Sequence, residues 1–232
     1  MAARQRQTYG EEVANVLTHG AGMLFGMTAI IVLMMAAIRS GNPWAIGSFA
    51  VYAVCMTLSY VTSTFYHAST HARQKRLLRR FDHGAIYLHI AGTYTPFTLL
   101  ALRQEGYWGW SLFAVIWIAA VIGVWLSFRK MRKKDHLKTV CYLAMGWVVI
   151  IAFKPLLHVF RETGSMNVLY WLIGGGLFYT VGCLFFFLDK YKYMHPVWHF
   201  FVLGGSICHF ISIYLLVKYV PSLLMIDLKT CL

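Results

Sequence analysis

The sequence predicts an all-α, polytopic membrane protein, and two observations lead to that prediction. Hydrophobic residues make up 59% of the 232 residues and charged residues only 12%, about half the charged fraction of a soluble domain. Stretches of about 20 apolar residues, the length at which a helix crosses a bilayer, fill most of the chain at 17–38, 44–66, 83–102, 108–128, 138–157, 168–188 and 197–219. We therefore expect one seven-helix bundle over residues 1–232.

The distribution of basic residues predicts the orientation of these seven spans. With the N-terminus inside, the inner segments hold fifteen lysines and arginines, whereas the outer segments hold six: Arg39, Arg103, Lys154, Arg161, Lys218 and Lys229. An excess of basic residues on the cytoplasmic side is the usual rule for membrane proteins. We expect a cytoplasmic N-terminus and an external C-terminus. The net charge of +13 then reflects topology, which makes a nucleic-acid partner improbable and membrane lipids the expected partners.

Taken in order, the spans have polar residues at their ends. The first begins in EEVANVLTHGAG, the second ends in STFYH, and the third begins in FDHGAIYLHIAGTYTP. The basic run RKMRKKDHLK separates the fourth span from the fifth, and the seventh begins in HPVWH, where a proline early in a helix costs little. In the predicted topology the end of span 2 and the starts of spans 3 and 7 lie at the cytoplasmic face.

Five polar residues therefore meet at one depth: Ser63, His67, Asp82, His195 and His199. His195 and His199 are four apart and share one helix face, as do Ser63 and His67. Ionisable residues inside membrane spans are usually functional. The alternatives for the histidines are a metal site, a proton relay, or a position at the membrane interface without a function.

The residue types suit a zinc ion. Three histidines with one position left for water form a catalytic zinc site, whereas structural sites use four protein ligands. We expect His67, His195 and His199 to bind Zn²⁺. Asp82 could act as general base or orient a ligand, and Ser63 could hydrogen-bond water, substrate or its own helix backbone.

Three further histidines have weaker assignments. His19 near the start of span 1 could support the metal site or simply pack at the helix start, and it shares this region with Glu12 and Asn15. His89 and His209 lie deeper in spans 3 and 7, so they could line a cavity or bond across helices. His209 is about 15 Å along its helix from His199, too far to bind the same ion.

At these residues the sequence resembles a known family. The segments EEVANVLTHGAG (11–22), STFYHAS (63–69), FDHGAIYLHIAGTYTPF (81–97), VCYLAMGW (140–147) and HPVWHFFVLGGSICHF (195–210) are similar to those of the bacterial hemolysin III proteins, relatives of the progestin and adipoQ receptors. The resemblance implies seven helices in a bacterial plasma (inner) membrane, with an inner N-terminus. It also implies zinc held by His67, His195 and His199 near the cytoplasmic face, with Ser63 and Asp82 adjoining. The wider superfamily includes alkaline ceramidases, which implies hydrolysis of a lipid amide.

Three functions follow as hypotheses. The first is a ceramidase-like zinc hydrolase that cleaves an amide or ester in a sphingolipid-like or fatty-acyl lipid and serves membrane lipid homeostasis. The second is a receptor or regulator of membrane state, without enzymatic activity, in which zinc is structural. The third is a cytolytic, haemolytic membrane protein, although the sequence contains no recognisable pore-forming segment.

Overall fold

The computed structural model describes residues 7–129 and 135–219, and every regular element in these ranges is helical. The α-helices are α1 (Tyr9–Ser40), α2 (Pro43–Ala68), α3 (Ala72–Pro96), α4 (Trp108–Phe128), α5 (Asp135–Trp147), α6 (Phe153–Glu162), α7 (Met166–Phe187) and α8 (Met194–Leu216). Within these ranges the prediction of an all-α fold is confirmed.

Six helical segments in the described ranges are long and apolar enough to cross a membrane, judged by length and composition: Tyr9–Ser40, Pro43–Ala68, Trp108–Phe128, Leu137–Glu162, Met166–Phe187 and Met194–Tyr219. Large apolar side chains such as Ile31, Ile118 and Leu184 are about 60% exposed on the outside of the bundle, as expected where lipid is the solvent. The chain is therefore a multi-pass membrane protein. The third predicted span lies in α3 and in the π-helical turn Phe97–Ala101 that follows it. The first turns of α3 are strongly basic, and the count of seven spans stays a prediction.

α1 begins eight residues before the predicted span. Thr8 caps it: the Thr8 side chain accepts a hydrogen bond from the Glu11 backbone, and the Glu11 carboxylate accepts one from the Thr8 backbone. This capping box satisfies donors that would otherwise be unpaired at the helix start. The polar segment EEVAN is consequently helical, and its Glu11, Glu12 and Asn15 side chains contact Tyr193 or His67.

Glycines on α1 allow it to pack closely against α2. A Cβ at Gly22 would collide with the Tyr60 ring, and one at Gly26 would lie 2.6 Å from Thr57 Oγ1. Small residues four apart permit this kind of close helix approach in membranes. The contact fixes the rotation of α1 so that His19, one turn before Gly22, faces the bundle interior, where it is 5% exposed.

The segment predicted as span 5 is helical but interrupted. α5 gives way to a 3₁₀ turn at Val148–Ala152 before α6. The Tyr94 hydroxyl lies 2.7 Å from the Gly146 carbonyl and accepts a hydrogen bond from Val149 N at 2.9 Å. Irregular backbone at membrane depth is tolerated where the protein satisfies it or where it lines a cavity, and Gly146 and Val149 do line one.

The N-terminal end of α8 is tied to α1. Tyr193 has a left-handed backbone (φ 63°) just before the helix, and its N–H donates to the Glu11 carboxylate at 3.0 Å. α1 packs against both α2 and α8, and α2 packs against α3. The starts of α1 and α8 and the end of α2 therefore lie at the same end of the bundle.

Candidate metal centre

Three buried histidines meet at that end of the bundle. His67 lies in the last turn of α2, and His195 and His199 lie in the first two turns of α8. Each offers one ring nitrogen, and these atoms all lie within 4.8 Å of one another. The three side chains are at most 8% exposed. Since Zn–N bonds are about 2.0–2.1 Å, the group could bind one metal ion after small side-chain movements.

The hydrogen bonds of His67 leave its Nε2 available as a ligand. Its Nδ1 lies 2.8 Å from Glu12 Oε2, and a carboxylate oxygen accepts, so Nδ1 carries the hydrogen. The other Glu12 oxygen accepts a hydrogen bond from Lys75 Nζ at 2.7 Å. A carboxylate that holds the far nitrogen of a metal-binding histidine fixes both the tautomer and the ring orientation.

His199 is oriented in the same manner by a hydroxyl. Its Nδ1 lies 3.3 Å from Thr18 Oγ1, and that hydroxyl donates to the Ala14 carbonyl at 2.9 Å. Thr18 therefore accepts from Nδ1, and the lone pair of His199 lies on Nε2. That Nε2 is buried and has no hydrogen-bond partner in the described part of the chain. A buried nitrogen lone pair needs a partner, and a metal ion would satisfy it, so these residues fit a zinc site.

His19 of α1 is a fourth histidine beside this group. Its ring centroid is 3.8 Å from that of His199 and 6.3 Å from that of His67. Neither of its ring nitrogens has a hydrogen-bond partner among the described residues. It is not one of the three histidines whose nitrogens converge. Of the two roles that the sequence left open for His19, this placement favours support of the metal centre.

Asp82 and Ser63 lie next to the histidines, as the sequence predicts. Ser63 and Asp82 line the same cavity wall, and Ser63 is one turn before His67 on α2. Ser63 is 3% exposed. Both residues, together with His19, line one end of a cavity of about 310 Å³. The structure thus brings together all five residues that the sequence places at one depth.

The cavity continues from this end along α3, α5, α7 and α8. Its middle carries the polar residues Ser59, His89, Tyr179 and His209. Most of its remaining wall is apolar: Ile86, Ile90, Phe97, Leu102, Leu112, Leu143, Trp147, Val149, Ile150, Phe153, Leu156, Leu169, Leu172, Ile173 and Val202. A mostly apolar wall with a few placed polar groups is typical of sites for apolar ligands.

Sequence reasoning did not assign the residues that orient the histidines. Glu12, Asn15 and His19 are spaced at three and four residues, so a helical α1 puts them on one face, a signal that could have identified Glu12. Asn15 Nδ2 lies 3.2 Å from His67 Nδ1, but an amide N–H cannot donate to a nitrogen that already carries a hydrogen, so Glu12 is the residue that orients His67. Lys75 gave no such signal, because it belongs to a run of basic residues that topology alone explains.

Comparisons with known proteins cover almost the whole of the described chain. The family described as Haemolysin-III related matches residues 7–210. The chain is 42% identical over 210 residues to Hemolysin-3 of Bacillus cereus, covering 90% of this chain and 93% of that protein. It is 39% identical over 216 residues to the Hemolysin-3 homolog of Bacillus subtilis (strain 168), covering 93% and 99%. It is 27% identical over 217 residues to the Monocyte to macrophage differentiation factor of Homo sapiens, covering 91% and 86%.

Proposed function

The chain belongs to the haemolysin-III related family, and from that premise we propose that it is a membrane hydrolase that uses zinc to cleave an amide or ester bond in a membrane lipid. The family match confirms the resemblance seen in the five sequence motifs. The observation that supports hydrolysis is the position of Asp82 and Ser63. They line the end of a largely apolar cavity and adjoin three buried histidines whose nitrogens converge.

His67, His195 and His199 would hold the zinc ion. Three protein ligands leave one coordination position open, which is the composition of catalytic zinc sites. Zinc in this place supplies Lewis-acid chemistry, since it acidifies water and polarises a carbonyl oxygen. Glu12 and Thr18 hold two of the three imidazoles in the tautomer with a free Nε2 lone pair, which would be available to the ion.

Asp82 is the group in this chain that handles the proton. Its carboxylate takes a proton from the attacking water and returns it to the leaving nitrogen or oxygen as the acyl bond breaks. The products are a fatty acid and an amine or alcohol, which together contain all the atoms of the lipid and of one water molecule. Ser63, beside Asp82, orients the carboxylate, and the apolar wall of the cavity holds the acyl chain away from water.

The test combines metal analysis with a lipid screen. We expect the purified chain to hold about one zinc ion, to lose it in a His195→Ala/His199→Ala double variant, and to release fatty acid from an amide or ester lipid. Asp82→Asn should keep the zinc but lower turnover by roughly 10²–10⁴-fold, whereas Glu162→Gln, an exposed carboxylate, should change neither. Zinc-loaded protein that cleaves none of the lipids screened would refute the proposal.

A second candidate function has a specific observation in its favour. His19 lies against His199 with two ring nitrogens that lack a partner among the described residues. If a His19 nitrogen were a fourth ligand, the site would be closed, as in structural zinc sites, and the ion would clamp α1, α2 and α8 together. This arrangement would suit a non-enzymatic receptor or regulator of membrane state.

The proposed location is the bacterial plasma membrane, with the metal centre near the cytoplasmic face. The excess of basic residues in alternate connections supports it. Tyr107 and Tyr191 are 71% and 56% exposed and lie in connections that this topology places on opposite sides. In a variant whose five native cysteines are replaced by alanine, we expect a membrane-impermeant thiol reagent on intact cells to label Tyr107→Cys and not Tyr191→Cys. The reverse pattern would invert the proposed orientation.

A further inference from the structure

The middle of the cavity contains two histidines that the proposed chemistry does not use. His89 of α3 and His209 of α8 both line it and are 6% and 8% exposed. The Tyr179 ring lies beside both, at centroid distances of 6.3 and 5.4 Å. His89 Nε2 and His209 Nδ1 have no hydrogen-bond partner in the described part of the chain.

The neighbouring hydroxyls, in contrast, are paired with one another. Tyr60 and Tyr179 both bond to Ser206 Oγ, at 2.7 and 2.8 Å. Buried polar atoms almost always have a partner, because leaving one unpaired costs free energy. The two imidazole nitrogens are therefore the unsatisfied polar atoms of this part of the cavity wall, and they require a partner inside the cavity.

The hydrogen bonds behind the two rings define what that partner must be. His209 Nε2 lies 3.2 Å from the Leu172 carbonyl, which only accepts, so the hydrogen is on Nε2 and Nδ1 is an acceptor. His89 Nδ1 lies 3.2 Å from Ser59 Oγ. The Ser59 hydroxyl satisfies its own hydrogen by donating to Nδ1, which leaves an N–H on His89 Nε2.

The pair thus presents one donor and one acceptor to the cavity. A hydroxyl group complements both, because its O–H can donate to His209 Nδ1 and its oxygen can accept from His89 Nε2–H. A neutral hydroxyl suits this place better than a charged group, because the described cavity wall around the two imidazoles includes no charged side chain that could pair with one.

The separation from the metal centre sets where this hydroxyl lies on the ligand. His89 is seven residues from Asp82 and His209 is ten from His199, which corresponds to about 10 and 15 Å along their helices. The helix rise of 1.5 Å per residue gives this separation, and an extended hydrocarbon chain covers it with roughly eight to twelve carbon atoms. Asp82 lies at one end of the cavity, and His89 and His209 lie at its middle.

We infer that His89 and His209 form a hydroxyl-recognition site, and that the ligand is a fatty-acyl lipid hydroxylated near the middle of its chain. This inference rests on the proposed function only in placing the carboxyl or acyl carbonyl at the metal end. The hydrogen bonds themselves need neither metal nor turnover. A hydroxyl beside the carbonyl, as in a 2-hydroxy acid, would not reach the pair.

The test is competitive binding to the full-length protein in lipid nanodiscs. Stearic acid, 2-hydroxystearic acid, 10-hydroxystearic acid and 12-hydroxystearic acid each displace radiolabelled stearic acid. Two neutral hydrogen bonds should make at least one mid-chain hydroxy acid about tenfold tighter than stearic acid, with 2-hydroxystearic acid no tighter. Equal displacement by all four acids would overturn the inference, and it is also the result expected if water alone satisfies the two nitrogens.

Variants separate recognition from general effects on the cavity. His209→Phe and His89→Phe should abolish the mid-chain preference while stearic acid still binds, and His158→Phe, an exposed histidine outside the cavity, should retain it. Gly175→Ala displaces the His209 ring, because the new Cβ would collide with it, and should also abolish the preference. A preference that survives both phenylalanine variants would refute the assignment. If a variant fails to fold, the displacement by the four acids from the unaltered protein still supports or refutes the hydroxyl site.

The outcomes distinguish this inference from the proposed function. A mid-chain preference in a protein that cleaves no lipid would refute hydrolysis and retain the hydroxyl site. Cleavage without any preference would retain hydrolysis and refute the hydroxyl site.

Discussion

Replacing Glu12 with glutamine tests the role of a residue that never touches the metal. Glu12 Oε2 accepts from His67 Nδ1 at 2.8 Å, and Oε1 accepts from Lys75 Nζ at 2.7 Å. Glutamine keeps the shape of the side chain but removes its charge and one acceptor oxygen. The one remaining oxygen cannot accept from both His67 Nδ1 and Lys75 Nζ, so the hydrogen bond that fixes the tautomer and orientation of the His67 ring is weakened.

The magnitude follows from this geometry. Loss of a residue that orients a metal-binding histidine typically weakens metal affinity 10–100-fold, or about 1.4–2.7 kcal/mol. The Glu12 side chain is 22% exposed while that of His67 is 1% exposed. Partial access of water to the carboxylate weakens its contribution, so we expect the low end of the range, about tenfold.

The assay is competition for zinc between the purified protein and a fluorescent chelator of known affinity. Glu105→Gln is the matched control, since Glu105 contacts His158 at 3.4 Å, where the histidine side chain is 64% exposed. We expect no change in zinc affinity from the control. If Glu12→Gln also left the zinc affinity unchanged while His67→Ala abolished binding, the orienting role of Glu12 would be refuted.

Two further predictions concern α1. His19→Leu should leave zinc stoichiometry unchanged in metal analysis if three histidines complete the site; loss of zinc as severe as in His199→Ala would establish a closed site and favour the structural function. Gly22→Ala should lower the melting temperature, with a destabilisation of about 1–3 kcal/mol, because its Cβ collides with the Tyr60 ring. Gly20→Ala meets nothing within 4 Å and should be neutral or stabilising by about 1 kcal/mol, so equal melting temperatures for the two variants would contradict the close packing of α1 on α2.

Much of the fold and the three histidines could be predicted from the sequence, because both depend on position along the chain. Apolar length identifies helices that cross a membrane, and a spacing of four residues puts His195 and His199 on one face. Depth in the bilayer follows from counting residues between the ends of the spans. In the same way, the residues predicted to share one depth, including His67 and Asp82, do lie together in the structure.

What the sequence could not determine is the rotation of each helix about its own axis. Rotation depends on side-chain packing between helices, such as Gly22 against Tyr60, and no spacing within one helix encodes it. Only the tertiary structure therefore brings Glu12 of α1 to His67 of α2 and places His19 against His199.

The two deeper histidines, His89 and His209, were likewise determined partly by sequence and partly by tertiary structure. The sequence placed His89 and His209 within their spans and left open whether they line a cavity or bond across helices. The structure shows that they do both: each lines the cavity, and each is bonded to a neighbouring helix through its other nitrogen. Because a hydrogen bond on one ring nitrogen decides what the other can do, the donor and acceptor that face the cavity are a property of the packed bundle alone.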